Sequence, residues 1–498
     1  MKLDQQKAPL FEALVTHDRL QAAAFHVPGH KARASWGDGR AAAYYEALLA
    51  LDVTELADTD DLHHPEGALL EAQALAAECF GAEETRFLVG GSTSGNLAMI
   101  VGLCRPGDLV IVQRNVHKSI VHGLMLAGAR AVLLSPQIDR LSGLATVPDE
   151  RLATQALARY PEAKALILSS PNYYGMSVDL SPLIAAAHNR GVPVMVDEAH
   201  GAHFGSHPQF PPSALEAGAD VVVQSTHKML GAMTMGAMLH MQGKRVPRAA
   251  IRQALTMVQS SSPSFPIMAS LDLARWQLNN DKERLFSSAM DAALQVVKAL
   301  EKTSFRALGY GDYISADIVY DPLKLVLFDE SGCLTGFALR DELEKQLCIA
   351  EMADERYVVL ALGPGTTLED GQRLKAALAD IAGRKQGSAP GIKPLEGNPK
   401  ETSPFEEEDE QSAIVPEPIL FDREERITVT VSLESSIGRK AAEWVIPYPP
   451  GIPVLYPGET ITEATVSQLQ RWRHEGARIQ GVRDPQLSEI QVWQENNG

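Results

Sequence analysis

Lys228 stands in Ala219 to Leu230, ADVVVQSTHKML, just past Asp220 to Gln224, an apolar, β-branched run of the kind that forms a strand buried on both faces. The carboxyl ends of strands are where open α/β sheets bind ligands, and a lysine there can shed its proton and attack a carbonyl. A second buried-type run, VPVMVDEAH (Val192 to His200), ends in the acid Asp197. A third, RFLVGGSTSGN (Arg86 to Asn96), runs into a turn carrying Ser92, Thr93 and Ser94 and then into a helix. Backbone N–H groups and hydroxyls at such a turn suit a phosphate. Each feature has a plainer reading: an N-cap, a solvated strand-end acid, a surface lysine.

The three share one target when taken in order, each at the end of its own strand. A phosphate turn, a carboxylate for a pyridinium nitrogen and an amine for an aldehyde together suit pyridoxal 5′-phosphate (PLP). The motifs GGSTSGN (90 to 96), NVHKS (115 to 119), DEAHGAHFG (197 to 205) and STHKML (225 to 230), in this order, resemble those of fold-type I PLP enzymes. More narrowly, the chain resembles the ornithine/lysine/arginine decarboxylase family in its short form, with HVPGHK (26 to 31), TDDLHHPEG (59 to 67) and PYPPGIPVLYPGE (447 to 459) extending the likeness along nearly the whole length.

The resemblance implies an α/β fold: an aspartate aminotransferase-like large domain with a mostly parallel seven-stranded sheet, then a small α/β domain and a C-terminal domain. It implies that Lys228 holds the cofactor, that Asp197 keeps its ring nitrogen protonated and that His117 stacks on the ring. Ser92, Thr93, Ser94, Ser225 and His227 join the cofactor pocket, and His200 stands at the cofactor or substrate side. Ser262, in the loop Gln259 to Ser264, is the residue expected to cross a dimer interface to a neighbour's phosphate; without the resemblance that loop reads as a linker and His117 as a capping histidine. The implied reaction is α-decarboxylation of a basic amino acid, with arginine giving agmatine in polyamine biosynthesis favoured over lysine or ornithine. His227 or Lys228 would return the proton to Cα. Asp60, Asp61, Glu66 and Glu351 are candidates for the substrate's distal cation. An aminotransferase would instead need a carboxylate-binding arginine, for which Arg340 and Arg356 are the candidates. An inactive relative would be expected to lose Lys228 or Asp197, and both are present.

Elements to position these groups are visible in the periodicity. An amphipathic helix is expected over residues 7 to 24, with Leu10, Phe11, Leu14, Val15 and Leu20 on one face. Another is expected over 68 to 79, capped at Gly81. Strand-like runs at 86 to 89, 109 to 112, 131 to 134, 164 to 168, 192 to 196, 220 to 224 and 235 to 241 alternate with helical ones, the pattern of a mainly parallel sheet covered on both sides. Residues 1 to 302 read as an N-terminal segment plus this large domain, with one or two helices over 267 to 302 burying Trp276 and Leu278. Residues 303 to 385 read as a small α/β domain of ferredoxin-like pattern, beginning with strands at 314 to 319 and 323 to 328. Residues 386 to 412 read as a Pro/Gly-rich acidic linker, and the resemblance implies that 413 to 498 are the family's C-terminal decarboxylase domain. His203 and His207 read as ordinary loop residues.

Composition sets outer bounds. The 498 residues suffice for two or three domains, and 45 basic against 63 acidic residues leave a net charge of −18, which disfavours nucleic-acid and anionic-membrane partners. Cys79, Cys104, Cys333 and Cys348 lack metal or disulfide spacing. The histidines and acids of 58 to 66 lack a helical HxxxH or a second cluster, so no metal is expected. With neither a leader-like N-terminus nor a long apolar run, a cytoplasmic protein is expected; the resemblance, through the loop carrying Ser262, implies a homo-oligomer, at least a dimer.

Overall fold

The structure, a computed structural model, describes residues 3–33, 36–37, 39–282, 284–387, 415–447, 453–475 and 478–494. Most of the expected linker, 388–412, and part of the proline-rich motif, 448–452, lie outside the described residues.

The chain begins with α1 (Pro9–Arg19), α2 (Gly39–Leu51) and α3 (Ala68–Phe80), the last closed by Gly81 in the left-handed conformation at φ +75°. Helix α1 is shorter than its periodicity suggests. Leu20 bonds back to His17, Gln21 bonds back to Asp18 and takes φ +47°, and the chain turns away, leaving Leu20 63% exposed. All seven expected strands form within two residues of their expected ends, interleaved with helices: β1 (Glu84–Leu88), α4 (Gly91–Leu103), β2 (Leu109–Gln113), α5 (Lys118–Ala127), β3 (Arg130–Leu134), α6 (Glu150–Arg159) and β4 (Leu166–Ser169). A short β5 (Met176–Ser177) and α7 (Ser181–His188) lead to β6 (Val194–Asp197) and β7 (Val221–Gln224), then a single turn α8 (Thr226–Met229) and β8 (Ala237–Met241). Helices α9 (Arg248–Val258), α10 (Phe265–Asn280) and α11 (Ser287–Leu300) follow. Leu278 is buried in α10, whereas Trp276 is 38% exposed because its indole N–H turns outward to donate to the Gln6 carbonyl at 2.8 Å.

Two compact units result. The first comprises 1–103, 193–289 and 362–366, and the second 104–192, 290–361 and 367–498. In the first, the strands lie in the order β1-β8-β7-β6; β6 and β7 are parallel, β8 and β1 antiparallel. Every residue of β6 and β7 is buried, as their unbroken apolar runs require. Gly95 lets α4 press on this sheet: a Cβ there would come within 2.7 Å of Val223 and 2.8 Å of Leu88. On the opposite face Phe87 and Met238 pack with Leu10, Leu14, Leu69, Phe265 and Leu271.

In the second unit β4, β2 and β3 are parallel, and β14 (Ile419–Leu420) adds an antiparallel edge on β3. A separate antiparallel sheet, β12-β13-β11-β9, is built from β9 (Phe305–Ala307), β11 (Lys324–Asp329), β12 (Met352–Ala353) and β13 (Val358–Ala361), with α12 (Gly336–Lys345) between β11 and β12 and α13 (Leu368–Gly387) after β13. The expected strand at 314 to 319 is reduced to β10 (Val319–Tyr320), paired with β5. The order also departs from a ferredoxin-like one: β9 and β11 are antiparallel neighbours, so no crossover helix separates them. The C-terminal part pairs β15 (Thr428–Ser432) with β18 (Glu489–Trp493) and β16 (Ile446–Pro447) with β17 (Ile479–Gln480), beside α14 (Glu463–Glu475). It has its own core of Leu433, Val445, Leu455, Leu469 and Ile490. It is fastened near the end of β2 by Arg114, which pairs with Glu459 at 2.8 Å and whose carbonyl accepts from the Tyr456 hydroxyl at 2.6 Å.

Candidate active site

Within the first unit β1, β6 and β7 each deliver one polar end. At β1 the chain passes Val89 and Gly90, Gly91 takes φ +69°, and α4 starts at once, so Ser92, Thr93 and Ser94 lie in its first turn rather than before it. Ser92 is half-buried and Thr93 exposed, while Ser94 is buried with its hydroxyl bonded back to the Gly91 carbonyl at 2.9 Å. The Gly91 N–H donates to Met235 at 2.8 Å and the Val89 N–H to Gln259 Oε1 at 2.8 Å, which fixes the turn. Later N–H groups of a helix's first turn have no intrahelical acceptor and present donors to an anion.

Asp197, the last residue of β6, is 4% exposed. Its Oδ2 accepts from Asn96 Nδ2 at 2.8 Å and its Oδ1 from the Ala199 N–H at 3.2 Å. Burial pushes its carboxyl above the ordinary range, against the downward pull of the Lys228 charge and the Asn96 amide. Asp197 and Lys228 therefore share one electrostatic environment. After β7, Ser225 precedes α8, and Lys228 lies exposed with its Nζ 3.0 Å from Nε2 of the buried His200. An ammonium only donates, so Nε2 accepts from it and the imidazole proton belongs on Nδ1. His227 bonds through Nδ1 to the Gly236 carbonyl at 2.9 Å, which leaves the lone pair on Nε2; burial pushes its pKa down, so the ring is uncharged near neutrality.

These residues fit PLP. The hydroxyls of Ser225 and Thr226 are buried without a hydrogen-bond partner among the described residues, beside an exposed amine and a buried carboxylate. Buried hydroxyls are rarely left unsatisfied, so this pair marks a place for a polar ligand or water.

The other expected residues have the following surroundings within their own units. His117, in the second unit, caps α5: its Nδ1 accepts from the Ser119 N–H at 3.3 Å and lies 2.8 Å from the Ser119 hydroxyl. Ser262 is exposed, its N–H held by Ser260 Oγ at 3.1 Å. Asp60, at φ +74°, accepts from the N–H groups of Asp61, Glu66, Gly67, Leu69 and Leu70, and Asp61 accepts from those of His63 and His64. Their lone pairs organise the loop and the start of α3, a structural explanation of the acidic cluster. Glu66 is exposed beside His64 Nε2 at 3.3 Å. In the second unit Glu351 is exposed and accepts from the Tyr173 hydroxyl at 2.6 Å. Arg340 pairs with Asp341 at 2.7 Å, and Arg356 lies over the rings of Phe328 and Tyr357. His203 is no ordinary loop residue: it is fully buried against the rings of Phe204, Phe210 and Phe286.

Sequence reasoning passed over Asn96 and Gln259. Asn96 had a signal, since it is the lone amide in the otherwise apolar stretch of α4 after Gly95. Gln259 had none beyond its place in a polar loop.

Residues 8–309 match the family described as Orn/Lys/Arg decarboxylase, major domain, and residues 404–481 match its C-terminal domain. The chain is 41% identical over 489 residues to an uncharacterized protein of Bacillus subtilis, YaaO, covering 96% of this chain and 98% of that one. It is 33% identical over 496 residues to an arginine decarboxylase of the same organism, covering 99% of each. The solved lysine decarboxylase LdcF of Francisella novicida shares the fold, with a TM-score of 0.79 at 19% identity over 98% of this chain and 81% of that one. The family model covers more than half of the chain, which therefore belongs to the Orn/Lys/Arg decarboxylase family, whose members remove the α-carboxyl group of basic amino acids with PLP.

Proposed function

We propose that the protein converts L-arginine to agmatine and CO2. The observation that carries the chemistry is the grouping of an exposed Lys228, 3.0 Å from His200, with a buried Asp197 that feels the lysine's charge. Arginine is favoured over lysine and ornithine by the likeness over 99% of both chains to the Bacillus subtilis arginine decarboxylase.

When bound, PLP supplies an electron sink for the pair left at Cα as CO2 departs. Lys228 would hold it through the side-chain nitrogen, and His200 Nε2, 3.0 Å away, is placed to take the proton that the lysine must lose to become a nucleophile. Asp197, oriented by Asn96 and Ala199, would accept from the ring N–H. Ser225 and the first turn of α4 would hold the phosphate. For the return of a proton to Cα, Lys228 is the better donor: His227 Nε2 bears a lone pair and burial opposes its second protonation. Arg340 and Arg356 already have partners, which weakens an aminotransferase reading. The exposed Ser262 is free to serve a second copy of the chain, so the active unit is proposed to be at least a dimer.

The test is to incubate the purified protein and PLP with arginine, lysine or ornithine in turn and to follow CO2 and the amine products. Agmatine formed with the highest kcat/KM supports the proposal. Cadaverine or putrescine formed faster reassigns the substrate, a keto acid indicates transamination, and no product from any of the three refutes it.

A further inference from the structure

Leu88 is the last residue of β1 to pair, opposite Ala237 of β8, and the turn that opens α4 begins immediately after it. Two N–H groups at the entry of that turn are fixed in different ways. The Gly91 N–H meets a backbone carbonyl, that of Met235. The Val89 N–H meets a side chain instead, the Oε1 of Gln259 at 2.8 Å, across 170 residues of sequence. Val89 is buried, so its N–H requires an acceptor, and Gln259 supplies it.

The position of Gln259 is set by its helix before its side chain reaches out. Gly102, near the end of α4, lets α9 come close: a Cβ there would lie 2.7 Å from the Ile251 Cα. Ile251 stands near the start of α9 and Gln259 just past its end, whereas Val89 stands just before α4, so the two helices run in opposite directions and α9 returns Gln259 to the turn. The Gln259 N–H closes α9 by donating to the Leu255 carbonyl at 3.0 Å. One residue on, the Ser260 carbonyl accepts from His63 Nε2 at 3.0 Å. The backbone on both sides of Gln259 is therefore anchored, and only its side chain has to span to Val89. The amide is also the right acceptor for this place, because a carboxylate would accept from the same N–H while setting a negative charge near a phosphate dianion.

We propose that Gln259 is a positioning residue for the cofactor phosphate: by accepting from the Val89 N–H it sets the angle at which the turn presents the N–H groups of Ser92 and Thr93, which lie in the first turn of α4 and have no intrahelical acceptor. Such donors grip a phosphate only while the backbone keeps them aimed at it. Loss of the Val89 bond weakens that grip and leaves the attachment of the aldehyde, which is the work of Lys228, untouched. The inference rests on the reading of residues 90 to 94 as the phosphate turn.

The experiment compares the binding of PLP with that of pyridoxal, the same aldehyde without the phosphate, to the full chain, read from the visible absorbance of the bound compound. In Gln259→Met, which keeps the length and removes the oxygen, PLP affinity should fall by roughly tenfold, the scale of one hydrogen bond, while pyridoxal affinity stays within about twofold. An unchanged PLP affinity, or an equal loss for both compounds, overturns the proposal. If Gln259→Met does not fold, NMR of the cofactor-free natural protein decides: inorganic phosphate should shift the backbone amides of Ser92 and Val89 and the side-chain amide of Gln259 along one saturating curve. A shift of Ser92 without the other two overturns the role of Gln259. A natural protein that binds PLP no better than pyridoxal, and whose Ser92 amide ignores phosphate, removes the reading of the turn and the role of Gln259 with it.

Discussion

The Asn96 amide donates to Asp197 Oδ2 at 2.8 Å, both residues buried, so the first turns of α4 are tied to the end of β6 by one hydrogen bond. The helix that opens at the proposed phosphate turn thereby also steers the carboxylate proposed for the ring nitrogen. Asn96→Ala should leave the fold intact and lower kcat by roughly ten- to a hundredfold, the loss of one hydrogen bond to a charged group at about 1.5–3 kcal/mol. Circular dichroism with steady-state kinetics checks this; an unchanged kcat would mean that Asp197 is oriented without Asn96.

Lys228→Ala should lose the visible absorbance of the bound cofactor, and its decarboxylase activity should fall by at least about a thousandfold, as expected when a covalent catalyst is removed. A retained absorbance band would show that another lysine carries the cofactor.

Asp60 should prove structural. Burial pushes its carboxyl up, but the N–H groups of Glu66, Asp61, Gly67 and Leu69 outweigh this and hold it below the usual range. Asn tolerates the positive φ of this position but cannot accept from all five donors. We expect Asp60→Asn to cost about 2 kcal/mol of stability in urea melts while leaving the KM for arginine within about twofold. Because the folded-state pKa is depressed, this contribution is complete above the unfolded value of about 3.9 and is lost as pH falls through the folded one. The gap between natural protein and variant should therefore close in acid. A large rise in KM would instead place Asp60 against the substrate.

His240 makes the second acid-sensitive contribution. Its pKa is about 3 in the folded protein and about 6.5 when unfolded, so between these values the unfolded chain binds the extra proton. Stability should fall as pH drops from about 6.5 towards 3, and His240→Gln should flatten that part of the profile in melting experiments, whatever its offset at pH 7. An unchanged slope would show that the ring is hydrated or protonated in the native state.

Much was legible without coordinates because it is encoded locally. Unbroken apolar runs announced β6 and β7, Gly81 announced the end of α3, and Asp197 and Lys228 were expected at or just past strand ends, where the structure has them. Family motifs then supplied the cofactor and the class of reaction. The errors came where a residue's surroundings are non-local. Leu20 follows helical spacing but sits beyond a turn that ended the helix, and Trp276 follows the buried stripe but turns its N–H to Gln6. For Asp60 and Asp61, composition shows charge but not the N–H groups that their carboxylates accept from.

Residue types and their order determined that this chain carries a lysine, an acid and a Gly/Ser/Thr turn, each at the end of its own strand, since strand periodicity is a property of neighbours in sequence. Only the tertiary structure decided which groups meet them. The contact of Asn96 with Asp197 spans about a hundred residues of chain, and that of Val89 with Gln259 spans 170. Such pairings follow from sheet register and helix docking, which place distant residues side by side and which no local pattern records.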